Sequence, residues 1–247
     1  MSIKMISVSN VYIGTSGWSY NNWIGKFYPK DLKKIEWLKY YAKYFNTVEI
    51  NYSFYHLPKK ETLKKWLHIT PANFLFILKA SRYITHIKRL VDCNESLIRF
   101  LDVSSELGEK LGPILFQMPP NMKKDKERLK KFLEILPKNC SYAFEFRDES
   151  WFCNDIYRLL NKFRCAIVIS SSPKFPIHYK ITGNFCYMRM HGNRELYSSS
   201  YTEDELRKVA KFISKNQKNN IQTYIYFNND IEGYAVDNAK LLLELIS

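Results

Sequence analysis

Glycine and acidic residues are scarce in this chain, and so are the short signatures of a bound nucleotide or metal. Only 8 of 247 residues are glycine. The glycine-bearing turn near the N-terminus, GTSGWS, has neither the GxGxxG spacing of a dinucleotide fold nor the GK[ST] of a phosphate loop. The five cysteines (Cys93, Cys140, Cys153, Cys165, Cys186) include no CxxC pair, which argues against structural zinc, an iron–sulfur centre or a secreted disulfide framework. No apolar run reaches the roughly eighteen residues of a membrane span, and the opening MSIKMISVSNVYIGTSG has no apolar signal-peptide core. A soluble, cytoplasmic protein with no membrane partner is expected. Asp and Glu number 24 against 38 Lys and Arg, a formal net charge of +14. That surplus points to an anionic partner, nucleic acid included. Runs such as LKKIEWLKYYAK and KKDKERLKKFLEIL read equally well as solvated helix faces.

Strand-like apolar runs alternate with amphipathic segments along the whole chain. The runs are 11–16, 46–51, 74–80, 112–118, 142–147, 165–171, 185–191 and 223–229. Helical periodicity occupies 31–45, 59–68, 94–109, 124–136, 152–163, 203–217 and 234–246. Alternating strand and helix implies parallel strands with crossover helices, and eight such units predict an α/β fold, a single (β/α)8 TIM-type barrel over 1–247. The segment SSPKFPIHYKITG has two prolines and no helical pattern. The helix between strands 6 and 7 is therefore expected to be irregular or missing, which would leave that side of the mouth more open.

Barrel strands are buried on both faces, so their polar residues are informative, and here they gather at the carboxyl ends. Strand 2 ends in Glu49 and Asn51, strand 3 in Lys79, strand 4 in Gln117, strand 5 in Glu145 and Arg147. Strand 7 ends in Arg189 and His191, and strand 8 in Asn228 and Asn229. In YAFEFRDESW, Glu145 and Arg147 share one strand face while Phe144 and Phe146 take the other. The loops behind these ends add Trp18, Tyr20, Tyr55, His86 and Trp151. Aromatic platforms interleaved with cations suit a base or sugar ring carrying phosphate.

The stretches GTSGWSYNNWIGKFYP, VEINYSFYHLP, FILKASRYITHIKRL, LGPILFQMPP, FEFRDESW, YMRMHG and YFNNDIEGYAVDNA resemble, in order, the signatures of the YecE-like proteins, domain of unknown function 72. The resemblance implies a TIM-type barrel. It also places Glu49, Asn51, Tyr55, Lys79, His86, Gln117, Glu145, Arg147, Trp151, Arg189, His191, Asn228 and Asn229 at the family's motif positions. One departure is RDESW, where many relatives look more like RHxSW. Asp148 there removes a positive or titratable group from the rim.

The ring favours an enzyme, a hydrolase or nuclease-like activity on a phosphate-containing substrate. Glu49 or Glu145 would act as base, His86 or His191 as acid, and Lys79 would stabilise developing charge. Arg147 and Arg189 would bind phosphate, with Trp18, Tyr20, Asn51, Tyr55, Gln117, Trp151, Asn228 and Asn229 completing the substrate site. No cofactor is expected. A divalent metal on Glu49, Glu145, His86, His191 and Asp230 is the alternative that the interleaved Arg and Lys oppose. Two other functions fit the same residues: a non-catalytic nucleic-acid or nucleotide binder, and an isomerase or lyase acting on a phosphorylated sugar-like molecule.

Overall fold

The computed structural model describes residues 10–246; the reading of MSIKMISVS as free of a signal segment lies outside them. Eight strands occur within or one residue beyond the expected runs. They are β1 (Val11–Thr15), β2 (Thr47–Ile50), β3 (Leu75–Leu78), β4 (Ile114–Gln117), β5 (Tyr142–Glu145), β6 (Ala166–Ser171), β7 (Phe185–Met190) and β8 (Gln222–Phe227). Six are hydrogen-bonded in the order β1-β8-β7-β6-β5-β4, and β2 pairs with β3, every pair parallel.

Two seams join these sheets into one ring. Between β3 and β4 the backbone still closes, with Gly112 N–H donating to Phe76 O (2.9 Å) and Ala80 N–H to Leu115 O (2.8 Å). Between β1 and β2 no backbone hydrogen bond is present among the described residues, and side chains take over. The buried Tyr41 hydroxyl accepts from Thr15 N–H (2.9 Å) and donates to Thr47 O (3.1 Å). Asn46 Nδ2 donates to Val11 O (3.1 Å). Gly14 sits at this seam, where a Cβ would lie 2.2 Å from Thr47 O, so a larger residue would force the strands apart. The result is the (β/α)8 TIM-type barrel.

Around it lie α1 (Trp37–Tyr41), α2 (Tyr52–Tyr55), α3 (Lys60–Ile69), α4 (Asn94–Ser104), α5 (Lys126–Glu134), α6 (Asn154–Lys162), α7 (Glu203–Lys218) and α8 (Tyr234–Leu245). The longest, α7, shows why these segments fold. Thr202 and Glu205 cap its N-terminus reciprocally, and Leu206, Val209, Ala210 and Ile213 recur at helical spacing on its buried side. Two segments are less helical than their periodicity. The 31–45 stretch keeps one α-helical turn and a half, preceded by a 3-10 turn. The 94–109 stretch leaves the α-helix after Ser104 and is broken at Gly108, whose φ is 52°. No helix joins β6 to β7, as expected. Two short turns in the loops behind the strands, α2 and the π-helical Tyr83–Ile87, carry no periodicity that a sequence could show.

Strand alternation sorts side chains into two cores. Tyr142, Phe144 and Phe146 of the β5 segment join the outer core beneath the helices, while Ala143 points into the barrel. Tyr224, Phe185, Tyr187, Tyr226, Ile77 and Leu115 fill the lower interior. The next inward positions above this plug are Glu49, Lys79, Gln117, Glu145 and Arg189, all buried. Among the described residues no helix is long and apolar enough to cross a membrane. Much of the positive surplus lies on outward helix faces: Lys64, Lys65, Lys126, Lys208, Lys211 and Lys215 are all exposed.

Candidate active site

Arg189, at the end of β7, organises the floor of the mouth. Its guanidinium grips Glu49 with two bonds, Nη2 to Oε1 (2.6 Å) and Nε to Oε2 (3.0 Å). Its Nη1 reaches Glu145 Oε2 at 2.6 Å. Ser16 Oγ (2.6 Å) and Tyr187 OH (2.7 Å) donate the remaining bonds to Glu49. On Glu145, Oε1 accepts from Arg147 Nε (3.2 Å) and faces His191 Nε2 (3.3 Å). The other ring nitrogen of His191 faces Asn228 Nδ2 (3.1 Å). An amide nitrogen there can only donate, so His191 carries its proton on Nε2 and gives it to Glu145.

These partners set the protonation states. Burial alone would raise both carboxyls. The Arg189 guanidinium outweighs it and holds Glu49 below the usual carboxylate range, and together with Arg147 and His191 it holds Glu145 well below. Burial opposes the Arg189 charge, but the two glutamates push its pKa up. For His191, burial and then Arg189 lower the pKa to about 4. Burial and nearby cations, Lys79 foremost, do the same to His86, also about 4.

Lys79 differs from both arginines. Among the described residues it has no carboxylate within ion-pair distance. Its Nζ lies 4.1 Å above the Phe54 ring of α2. Burial, reinforced by Arg189 and Arg147, brings its pKa down to about 7. Asp230, just beyond β8, moves the opposite way. Burial raises it to about 6 although Trp23 Nε1 donates to its Oδ1 at 2.6 Å. Both line one cavity of about 470 Å³ at the carboxyl ends of the strands. They approach it from strands three places apart in the eight-strand ring, hence from different sides.

A model of the family described as "Protein of unknown function DUF72" matches residues 12–247. The chain belongs to this family. The UPF0759 protein YunF of Bacillus subtilis is 28% identical to it over 96% of this chain and 94% of YunF. YecE of Escherichia coli K12 is 32% identical over 143 residues, 58% of this chain and 50% of YecE. A DUF72 family protein from Thermotoga maritima has a solved structure that superposes with a TM-score of 0.86 at 31% identity, covering 96% of this chain and 98% of that one. The β-mannanase of the blue mussel Mytilus edulis, at 9% identity and a TM-score of 0.51 over 96% of this chain and 92% of its own, shares the fold alone.

Not every residue expected at the mouth of this DUF72 protein lines its cavity. Tyr20, Asn51, Tyr55, Lys79, Gln117, Arg147, Arg189 and Asn228 do. Glu49, Glu145 and His191 lie beneath, fully buried, as the props of Arg189 and Arg147. Their hydrogen bonds engage one another and Arg189 and Arg147, so neither glutamate is placed as a free base and His191 does not titrate near neutrality. His86 stands behind Phe54, 5.0 Å from its ring, with Nδ1 at 2.9 Å from Thr85 Oγ1. Trp18 packs edge-on against Trp66 in a neighbouring groove.

Two placements correct the sequence reading. Trp151 is not a rim aromatic: Asp148 caps the turn Glu149–Trp151 by accepting from Ser150 N–H, the chain swings outward, and the indole stacks on the outer face of Phe146 at 4.3 Å. Its Nε1 donates to Met122 O (2.6 Å). Asn229 faces away as well, binding Ser199 O (2.9 Å) and Asn238 Oδ1 (2.8 Å) to fasten the loop after β7. The helix-free segment after β6 does not leave its side bare, because Phe175 lies 4.2 Å from the Arg147 guanidinium carbon. Sequence reasoning missed Tyr197, whose hydroxyl accepts from Arg147 Nη2 (3.4 Å), and Asn22 and Ile231, which also line the cavity. Tyr197 and Ile231 sit in loops and Asn22 in a single 3-10 turn, Asn21–Trp23, none of which shows a periodic pattern. Among the described residues no cluster of three or more His, Cys, Asp or Glu side chains is arranged to hold a metal ion.

Proposed function

We propose that this protein is an enzyme performing acid–base chemistry on a small phosphate-bearing substrate in the barrel mouth. The observation that supports the reading is Lys79, a lysine brought to about 7 inside the cavity and left without a carboxylate partner among the described residues. Its free amine accepts a proton near neutral pH, and the Asp230 carboxyl, raised to about 6, returns one from another side. Arg147, fixed by Glu145 and Phe175, presents its remaining guanidinium edge to a substrate anion. Arg189 also lines the cavity, but most of its donors serve the two glutamates, so its part is chiefly to hold the site in shape.

Two reactions use this pair. In phosphoester hydrolysis Lys79 takes a proton from the water that attacks phosphorus, and Asp230 protonates the leaving oxygen. In an isomerisation the same groups move a proton between carbon and oxygen. The second is favoured by the setting of Lys79, enclosed over the apolar Phe54 ring. Screening phosphomonoesters and diesters for phosphate release, and sugar phosphates for deuterium uptake from D2O, separates the two. The expected kcat/KM profile is a bell centred between pH 6 and 7, because Lys79 must be neutral and Asp230 protonated. Lys79→Met should lower kcat by roughly 10²-fold or more with a smaller change in KM. Turnover that survives Lys79→Met, or a flat profile from pH 5 to 8, would sink the assignment.

A further inference from the structure

A second groove opens beside the mouth cavity, between the loop after β1 and the α2–α3 connection. Its volume is about 680 Å³ and its walls include Trp18, Tyr52, Leu57, Pro58, Thr62 and Trp66. It is not separate from the mouth: Tyr20 and Asn51 line both spaces. The rings are held in place. Trp66 stacks on the core residue Phe76 (5.9 Å, 23°), and Trp18 meets it at 90° and 5.0 Å. The Tyr20 hydroxyl donates to Ser16 O (2.5 Å), fixing the shared wall. Tyr52, by contrast, is 57% exposed at the lip, with the His56 ring 5.5 Å from its own.

The polar feature of this boundary is unfinished. Asn51 Nδ2 makes one long bond to Ser16 O (3.4 Å), while Asn51 Oδ1 is a buried acceptor without a hydrogen-bond partner among the described residues. Buried polar atoms are paired in all but a few cases, so an unpaired one between two open spaces calls for a donor from outside. Flat rings on the walls, an acceptor at the threshold and cations in the adjoining cavity together describe a two-part ligand.

We propose that the groove is a subsite for a planar aromatic heterocycle of the nucleobase type, joined by a sugar-sized linker that passes Tyr20 to a phosphate beside Lys79 and Arg147. The ring stacks among Trp18, Trp66 and Tyr52, and a ring or amino N–H supplies the donor that Asn51 Oδ1 lacks. An aliphatic chain would fill the space but leave that acceptor unpaired. The proposal rests on the reading of the mouth as a phosphate site and narrows its substrate to a nucleotide-like molecule.

Isothermal titration of the whole protein with adenosine 5′-monophosphate, adenosine and ribose 5-phosphate tests it. The monophosphate is expected to bind at least about tenfold more tightly than ribose 5-phosphate, the gain from stacking one base. Thr62→Phe, which fills the groove from a half-exposed helix position, should close that gap, and Tyr52→Ala, at an exposed position, should narrow it. Equal binding of the two phosphates by the wild type, or a gap that survives Thr62→Phe in a protein with an unchanged circular dichroism spectrum, overturns the subsite. The mouth reading then still stands if Arg147→Met weakens ribose 5-phosphate. Adenosine binding as tightly as its monophosphate, and lost in Thr62→Phe, supports the ring subsite and overturns the phosphate reading instead. Silence from all three ligands overturns both.

Discussion

Arg189 is the residue on which the mouth depends. It is 1% exposed and pairs with two carboxylates that are themselves fully buried. Removing it leaves Glu49 without a counter-ion among the described residues and Glu145 with Arg147 alone. Breaking a buried pair from one side costs about 3–5 kcal/mol, so Arg189→Met is expected to lower the free energy of unfolding by at least that range. Urea denaturation reads it directly, and a loss below about 1 kcal/mol would mean that water reaches the glutamates. The sequence showed that charges converge at the strand ends but not which of them meet. Glu49, Glu145 and Arg189 come from three different strands, and only the closed ring brings one guanidinium between two carboxylates. That is why both glutamates read as bases, and Lys79 as a cation that stabilises developing charge. Trp151 was misread for a simpler reason: strand alternation stops at Arg147, and a capped turn then reverses the direction of the chain.

Among the elements, strands were more legible than helices. Each strand is a short run buried on both faces, with the polar residue at its inward carboxyl end. The helices α1 and α4 fell short of their periodic stretches because periodicity reports a buried face and not where capping ends the helix. The seam between β1 and β2 left no sequence signature at all, since a tyrosine in a following helix gives no sign that it replaces a ladder hydrogen bond. Tyr41→Phe keeps the ring and deletes the hydroxyl that serves Thr15 N–H and Thr47 O. Leaving a buried donor unsatisfied costs about 1–3 kcal/mol. A fall of that size in stability is expected, with faster amide exchange at Thr15, whereas an unchanged exchange rate would show that another group serves the seam.

At the scale of the whole molecule the mouth makes stability depend on pH with a definite sign. Glu49 and Glu145 have depressed values in the folded state, so their contribution is present above the ordinary carboxylate range and is lost as acid protonates them. His86 and His191, at about 4 when folded, leave the unfolded chain binding more protons between about 4 and 6.5, which lowers stability as pH falls through that window. Lys79 acts higher. Its folded value of about 7 lies below 10.5, so the unfolded chain holds the extra proton between the two and stability rises as pH climbs from 7 towards 10.5. Asp230 opposes the trend only between 3.8 and about 6. Lys79 alone should therefore make the protein more stable at pH 9 than at pH 7 by about 2 kcal/mol, partly offset near pH 9 by the Cys165 and Cys186 thiols, which burial pushes up to about 12. Lys79→Met should remove that part of the difference, and melting curves of both proteins at the two pH values compare directly.

The side-chain seam also bears on how the mouth moves. Sheet strands tied by a ladder shift together, because each backbone bond fixes the next. Among the described residues the pair β1 and β2 has no such rail; side chains join them, the Tyr41 phenol and the Asn46 amide below and the Ser16 hydroxyl on Glu49 above. The loops that leave these two strands carry Ser16 to Tyr20 on one side and Asn51 to Tyr55 on the other, the two banks of the aromatic groove. Among the described residues the joint without a backbone ladder thus lies directly under the two loops that wall the aromatic groove, and one hydroxyl, bonded to Thr15 and Thr47 at once, spans it.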